Sequence, residues 1–132
     1  MCIRDRGEIT HYLADYFTFP HNIQFEGGLK DHFIYEKEMM ETFKVYLKNS
    51  ETTARLRLRT FKEDLYCLDT AEDICNYIKK FHRDYIAKKH TVLSDCEHIV
   101  LICALVVQAI LRIISEKEYL FIRNQRVAGA LS

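Results

Sequence analysis

The sequence predicts an all-α protein: a single-domain bundle of about five helices around a central apolar helix at 94–114. Its 132 residues fit one ordinary domain, and 48% hydrophobic with 29% charged residues is typical of a globular chain. The only proline is Pro20, and neither glycine nor proline occurs between Leu29 and Ala128. A β-rich domain of this size would need many tight turns made by these residues, so the chain is predicted to be mostly helical.

The first two predicted helices are separated by a loop. Apolar residues recur at helical spacing from Glu8 to Phe17, and the stretch "TFPHNIQFEGG" then interrupts the pattern. A second helix is predicted from about Leu29 to Lys48, with an apolar face and most of its charges on the other side. Asn49 is a favourable stop residue, so we expect this helix to end there.

Two periodicities compete in the stretch "TTARLRLRTFKEDLYCL". Five apolar residues repeat with a helical period, while the "RLRLR" portion alternates as a strand would. The helical match covers more residues and is favoured, with a short strand near 54–61 as the alternative. The helical set is Ala54, Leu58, Phe61, Leu65 and Leu68.

Capping signatures mark the last two helices. Asp69 followed by Glu72 precedes an apolar stripe that ends near His90, and Ser94 followed by Glu97 precedes the most apolar part of the chain. The final helix is therefore predicted to begin at Ser94 and to continue or restart through "SEKEYLFIRN".

The apolar run from Ile99 to Ile114 could be covered by lipid, by a partner or by the chain's own helices. It contains Gln108 and Arg112 and is followed at once by "SEKE", whereas a membrane span needs about 20 mainly apolar residues. Its apolar residues occupy most of the helix circumference, which is typical of a helix buried on several sides. We expect no membrane span, and we expect this helix at the centre of the bundle.

The opening residues "MCIRDR" resemble translated sequencing adapter. We interpret 1–6 as a non-native leader and 7–132 as a single helical domain, and we expect the natural protein to extend upstream. The five cysteines are odd in number and contain no CxxC pair, so we expect reduced, mostly buried thiols and a cytoplasmic protein.

Two groupings of chemically active side chains are interpreted without a site. His32 and Glu36 stand four apart on a helix and could present two metal ligands, but two ligands do not make a centre, so we interpret them as a solvent-facing pair. In "DCEH", Asp95 and Glu97 occupy a first helical turn, where the helix dipole favours acids. We accordingly predict no catalytic residue, no metal and no cofactor.

The functional prediction is a non-enzymatic interaction or regulatory module, with a protein partner or self-association. Lys plus Arg and Asp plus Glu both number 19, so the whole chain has no charge that would steer it to nucleic acid. One alternative is an effector-binding domain with a pocket lined by Tyr77, Phe81 and Tyr85. A weaker alternative is nucleic-acid binding through a basic patch. Its residues would be Arg55, Arg57, Arg59 and Lys62.

Overall fold

The computed structural model describes residues 3–49 and 62–130, which form five α-helices and one short 3-10 turn, with no strand among them. The predicted all-α class is confirmed. The alternative strand near 54–61 and the beginning of the third predicted helix lie outside the described residues. The helices are α1 (Ile3–Tyr16), α2 (Leu29–Asn49), α3 (Lys62–Tyr66), α4 (Ala71–Ile86) and α5 (Val92–Ala130), and the 3-10 turn is Phe19–His21.

The two capping predictions were each displaced along the chain. The capping box of α4 pairs Thr70 with Asp73, one residue beyond the predicted pair. Helix α5 begins at Val92 rather than at Ser94, because the backbone N–H of Ser94 donates to the Thr91 hydroxyl and that of Thr91 donates to the Ser94 hydroxyl. The segment "SEKEYLFIRN" continues the same helix without a break.

Helix α5 is the central element, since it contacts each of the other four helices. Its buried residues recur every three or four positions and so form one stripe, at Ile99, Ile102, Leu105, Val106 and Ala109. Leu13 near the end of α1 and Phe17 just after that helix, with Ile74 and Tyr85 from α4, pack against that stripe.

The predicted central position of α5 is confirmed, but the other helices cover only part of its length. Of its most apolar 18 residues only 28% are buried, and by length and composition the segment Val92–Arg126 could also cross a membrane. From Ser115 to Arg126 its side chains are exposed, including those from Tyr119 to Ile122. The bundle therefore buries one stripe of α5 before Ser115, partly buries most of its other side chains there, and leaves 115–126 exposed.

Arg112 is a cation on the apolar part of α5, and its hydrogen bonds explain how the charge is accommodated there. Its guanidinium donates to the backbone carbonyl oxygens of Leu65 and Leu68, at 3.2 and 2.9 Å, and to the Asp69 carboxylate at 2.8 Å. These acceptors lie at the end of α3 and just after it, where carbonyl oxygens are not fully used by the helix. Arg112 thus joins α5 to the end of α3.

Candidate metal centre

Three side chains that can bind metals converge beside the loop that follows α1. The His21 Nε2 atom lies 3.0 Å from His32 Nε2 and 3.4 Å from Glu36 Oε1, and His32 Nε2 lies 2.9 Å from the same oxygen. All three side chains are partly exposed. No other group of this kind was found among the described residues.

The loop holds His21 by several local contacts. Pro20 is buried and stands at the start of the 3-10 turn, where its fixed φ angle suits the turn. The fully buried ring of Phe17 anchors the residues before the turn. After the turn, the Asn22 side-chain amide donates to the Thr18 carbonyl at 2.9 Å.

Helix α2 supplies the other two side chains. The Asp31 carboxylate accepts the backbone N–H of Gly28 at 2.9 Å, which fixes the beginning of the helix. His32 and Glu36 are one helical turn apart, so both side chains emerge on one face. The hydrogen bond from His32 lowers the pKa of the Glu36 carboxyl, which therefore stays in the ionised form that a metal requires.

A second pair with the same spacing lies on α1 and extends the cluster. Asp15 Oδ2 is 3.5 Å from His11 Nε2, and Asp15 Oδ1 is 3.6 Å from His21 Nδ1. These distances are electrostatic contacts rather than hydrogen bonds. A carboxylate facing the remote nitrogen of a ligating histidine is the usual arrangement around metal sites, because it orients the ring.

The geometry of the three atoms fits zinc. For zinc bonds of about 2.0–2.1 Å, two ligand atoms of a tetrahedral site lie about 3.3 Å apart. The three separations here are 2.9, 3.0 and 3.4 Å. Two imidazole nitrogens and one carboxylate oxygen are also a ligand set of catalytic zinc sites, in which a fourth position is left for water or substrate.

The interpretation of His32 and Glu36 as a solvent-facing pair was incomplete, because it missed His21. The loop brings this third side chain back over α2 across eleven residues of sequence. The signal present in the sequence was the pattern of two histidine–acid pairs with a spacing of four, at 11–15 and 32–36, on either side of a lone histidine next to proline.

The residues predicted to line an effector pocket are divided by the structure. Tyr77 and Phe81 line a cleft of about 240 Å³, and the Tyr77 hydroxyl donates to Asp64 at 3.2 Å. Tyr85 is instead buried in the core, and its hydroxyl donates to the Asp95 carboxylate at 3.0 Å. The structure therefore does not place these three side chains around one cavity.

The predicted basic patch is not described by the structure. Arg55, Arg57 and Arg59 lie outside the described residues, and of Lys62 only the backbone, at the beginning of α3, is described.

A larger cleft lies beside the metal-binding cluster. It has a volume of about 580 Å³ between the loop after α1 and the end of α4, and His21 belongs to its lining. Arg83 provides a cation in this cleft, and Ile23 and Ile86 provide apolar surface. Burial lowers the pKa of His82. The His82 ring stacks on the Tyr16 ring in the lining of this cleft, with 3.7 Å between the ring centroids. The lowered pKa favours the neutral ring of His82 at pH 7, whereas the Arg83 guanidinium is always charged.

A family model described as zinc dependent phospholipase C matches residues 6–92, which is more than half of the chain. No curated protein and no solved structure matches the chain.

Proposed function

The chain belongs to the zinc-dependent phospholipase C family, and from this we propose that it hydrolyses phospholipids with a zinc ion held by His21, His32 and Glu36. The observation that carries the proposal is the convergence of these three ligand atoms at the spacing of a tetrahedral zinc site. The matched segment contains all three residues.

This family assignment corrects the functional prediction from the sequence. The interpretation as a non-enzymatic interaction or regulatory module was wrong, and so was its effector-binding alternative, since the family is one of lipid-hydrolysing enzymes. The predicted cytoplasmic location gains no support from the family. A protein partner or self-association remains a prediction, as does the lack of nucleic-acid binding.

The chain's own residues hold and orient the site. His32 and Glu36 offer their ligand atoms from one rigid helix, while Asp15 faces the outer nitrogen of His21 and orients that ring. A zinc ion bound there would supply a Lewis acid for a phosphoryl oxygen and would acidify a bound water. Because all three side chains are partly exposed, a substrate can approach from solvent.

The cleft that shares His21 with the cluster is the proposed substrate position. A phospholipid presents an anionic phosphodiester next to apolar glycerol and acyl groups. In this cleft the Arg83 guanidinium would pair with the phosphodiester oxygens, a contact for which its planar set of donors is suited. Ile23, whose side chain is fully exposed, and Ile86 would contact the apolar part.

The test compares two glutamates on α2. Glu36→Gln removes the negatively charged ligand atom, so we expect zinc affinity to fall by about 100-fold or more, since even outer partners of a site are worth 10–100-fold. Glu41→Gln is the matched control, because Glu41 is on the same helix, lies outside the metal-binding cluster and pairs with Lys44 at 3.1 Å. Affinity is measured by competition with a chromogenic chelator.

Hydrolysis of a soluble short-chain phospholipid is followed in the same preparations. We expect release of the phosphorylated headgroup to require added zinc and to be lost in Glu36→Gln but kept in Glu41→Gln. Equal zinc affinity in the two variants, or hydrolysis that persists in a chelator, would contradict the proposal.

A further inference from the structure

Asp95 is a fully buried carboxylate that the proposed chemistry does not use. It lies in the first turn of α5 and is 0% exposed. Its Oδ2 atom accepts the backbone N–H of Phe19 at 2.8 Å and the Tyr35 hydroxyl at 2.7 Å, and its Oδ1 atom accepts the Tyr85 hydroxyl at 3.0 Å. The interpretation of Asp95 from the sequence as an acid favoured by the helix dipole therefore missed its main contacts.

The two donors on Oδ2 belong to the two segments that carry the metal ligands. Phe19 begins the 3-10 turn that presents His21. Tyr35 immediately precedes Glu36 on α2, the helix that also carries His32. A single oxygen atom therefore ties both segments to the beginning of α5, three residues beyond the segment that the family model matches.

Both tyrosines remain donors at any ordinary pH. Burial, followed by the hydrogen bond to Asp95, raises the pKa of Tyr35, and burial together with the charge of Asp95 raises the pKa of Tyr85. The His90 Nδ1 atom lies 3.8 Å from Asp95 Oδ1, and the His90 ring stacks on Phe19 at 4.3 Å. A buried carboxylate is costly unless it accepts such bonds, so its three donors must be held in place for the bundle to fold.

We propose that Asp95 is a positioning residue for the metal centre: through Phe19 and Tyr35 it sets the separation between His21 and the His32–Glu36 pair. This rests on the proposed function for the identity of the site. The competing explanation is that Asp95 only stabilises the core. The two explanations can be distinguished because the third donor to Asp95, Tyr85, is on α4, which contributes none of the three ligands.

The test uses the matched variants Tyr35→Phe and Tyr85→Phe with Co²⁺ as the metal probe. Each variant removes one hydroxyl from the same carboxylate, so each should lower thermal stability. We expect Co²⁺ affinity to fall by about 10-fold or more in Tyr35→Phe, as for other residues that orient metal ligands. Tyr85→Phe should keep the wild-type affinity.

The visible absorption spectrum of bound Co²⁺ provides a readout that stability does not move. Its band positions and intensities depend on ligand geometry, so the spectrum should change in Tyr35→Phe and should match that of the wild type in Tyr85→Phe. Asp95→Asn keeps the side-chain shape and should resemble Tyr35→Phe wherever it folds, because the amide group cannot accept all three bonds.

The outcomes separate the two proposals. If the wild type binds Co²⁺ and both tyrosine variants have its affinity and spectrum, or lose affinity only in proportion to stability, Asp95 is not a positioning residue and the metal centre stands. If the wild type binds no Co²⁺, the metal centre is overturned, and the role of Asp95 with it.

Discussion

The stability of this protein should depend on the first half of α5 and hardly at all on the second half. Leu105 and Leu120 are the same residue type on the same helix, but Leu105 is 3% exposed and Leu120 is 51% exposed. Replacing each with alanine removes the same atoms from one helix. The difference between the two losses therefore measures packing and not helix propensity.

The expected magnitudes follow from the burial of each side chain. Leu105→Ala empties space in the core and should cost about 3 kcal/mol of unfolding free energy. For a chain of 132 residues the unfolding entropy is about 0.28 kcal/mol/K, so this loss lowers Tm by about 11 °C. Leu120→Ala removes a half-exposed side chain and should cost about 0.5 kcal/mol or less, which is a shift of about 2 °C.

The assay is thermal and urea unfolding of the purified protein, followed by circular dichroism at two protein concentrations. Equal losses in the two variants, or a larger loss for Leu120→Ala, would refute the reasoning. That result would mean that the exposed half of α5 is covered by a partner, a second copy or lipid, and that burial within one bundle does not carry the stability.

Two further predictions concern side-chain reactivity and substrate binding. Burial raises the pKa of Cys96 to about 11, so Cys96 should stay unmodified by iodoacetamide at pH 8 until the protein unfolds, whereas the exposed Cys75 should be modified. Labelling is read by peptide mass spectrometry, and comparable labelling of both cysteines in the folded protein would contradict this prediction. Arg83→Gln should raise KM for a soluble phospholipid about tenfold through loss of a charged hydrogen bond. Lys79→Gln, on the same helix but outside the cleft, should leave KM unchanged. The same KM in both variants would argue against the cleft as the substrate position.

Local signals predicted the helices well. Periodicity located α2 almost to the residue, since the predicted 29–48 compares with Leu29–Asn49, because an amphipathic stripe and a stop residue are both written in adjacent sequence. The caps of α4 and α5 were displaced because several residues near each start could serve as a cap. Only the backbone geometry selects Thr70 and Thr91.

The burial of α5 and of the cysteines was harder to predict. An apolar circumference indicates that a helix avoids water, but it does not say how much of the helix its neighbours can reach. The four other helices bury one stripe of α5 before Ser115 and leave its side chains from Ser115 to Arg126 exposed. Cys67 and Cys75 were also expected to be buried from their residue type, which does not show what their neighbours cover. Both are exposed.

The candidate site depends on contacts that are distant in sequence. The spacing of His32 and Glu36 was visible, but the approach of His21 depends on the path of the loop. That path is fixed in part by Asp95, which is 76 residues away from the Phe19 amide that it binds. Neither periodicity nor a pair of ligands predicts such a contact. From the sequence, His32 and Glu36 were therefore interpreted as a solvent-facing pair, and the predicted non-enzymatic function was wrong.

The hydrogen bonds of Asp95 also have a thermodynamic consequence. All three ligand atoms come from a stretch of sixteen residues, 21–36, yet that stretch is anchored to a helix that begins more than fifty residues later. Metal binding that holds the loop and α2 together must also stabilise the docking of α5 against them. Because such coupling is reciprocal, the docking of α5 must in turn strengthen metal binding. Stripping the metal should therefore accelerate amide exchange at the beginning of α5, far along the chain from any ligand.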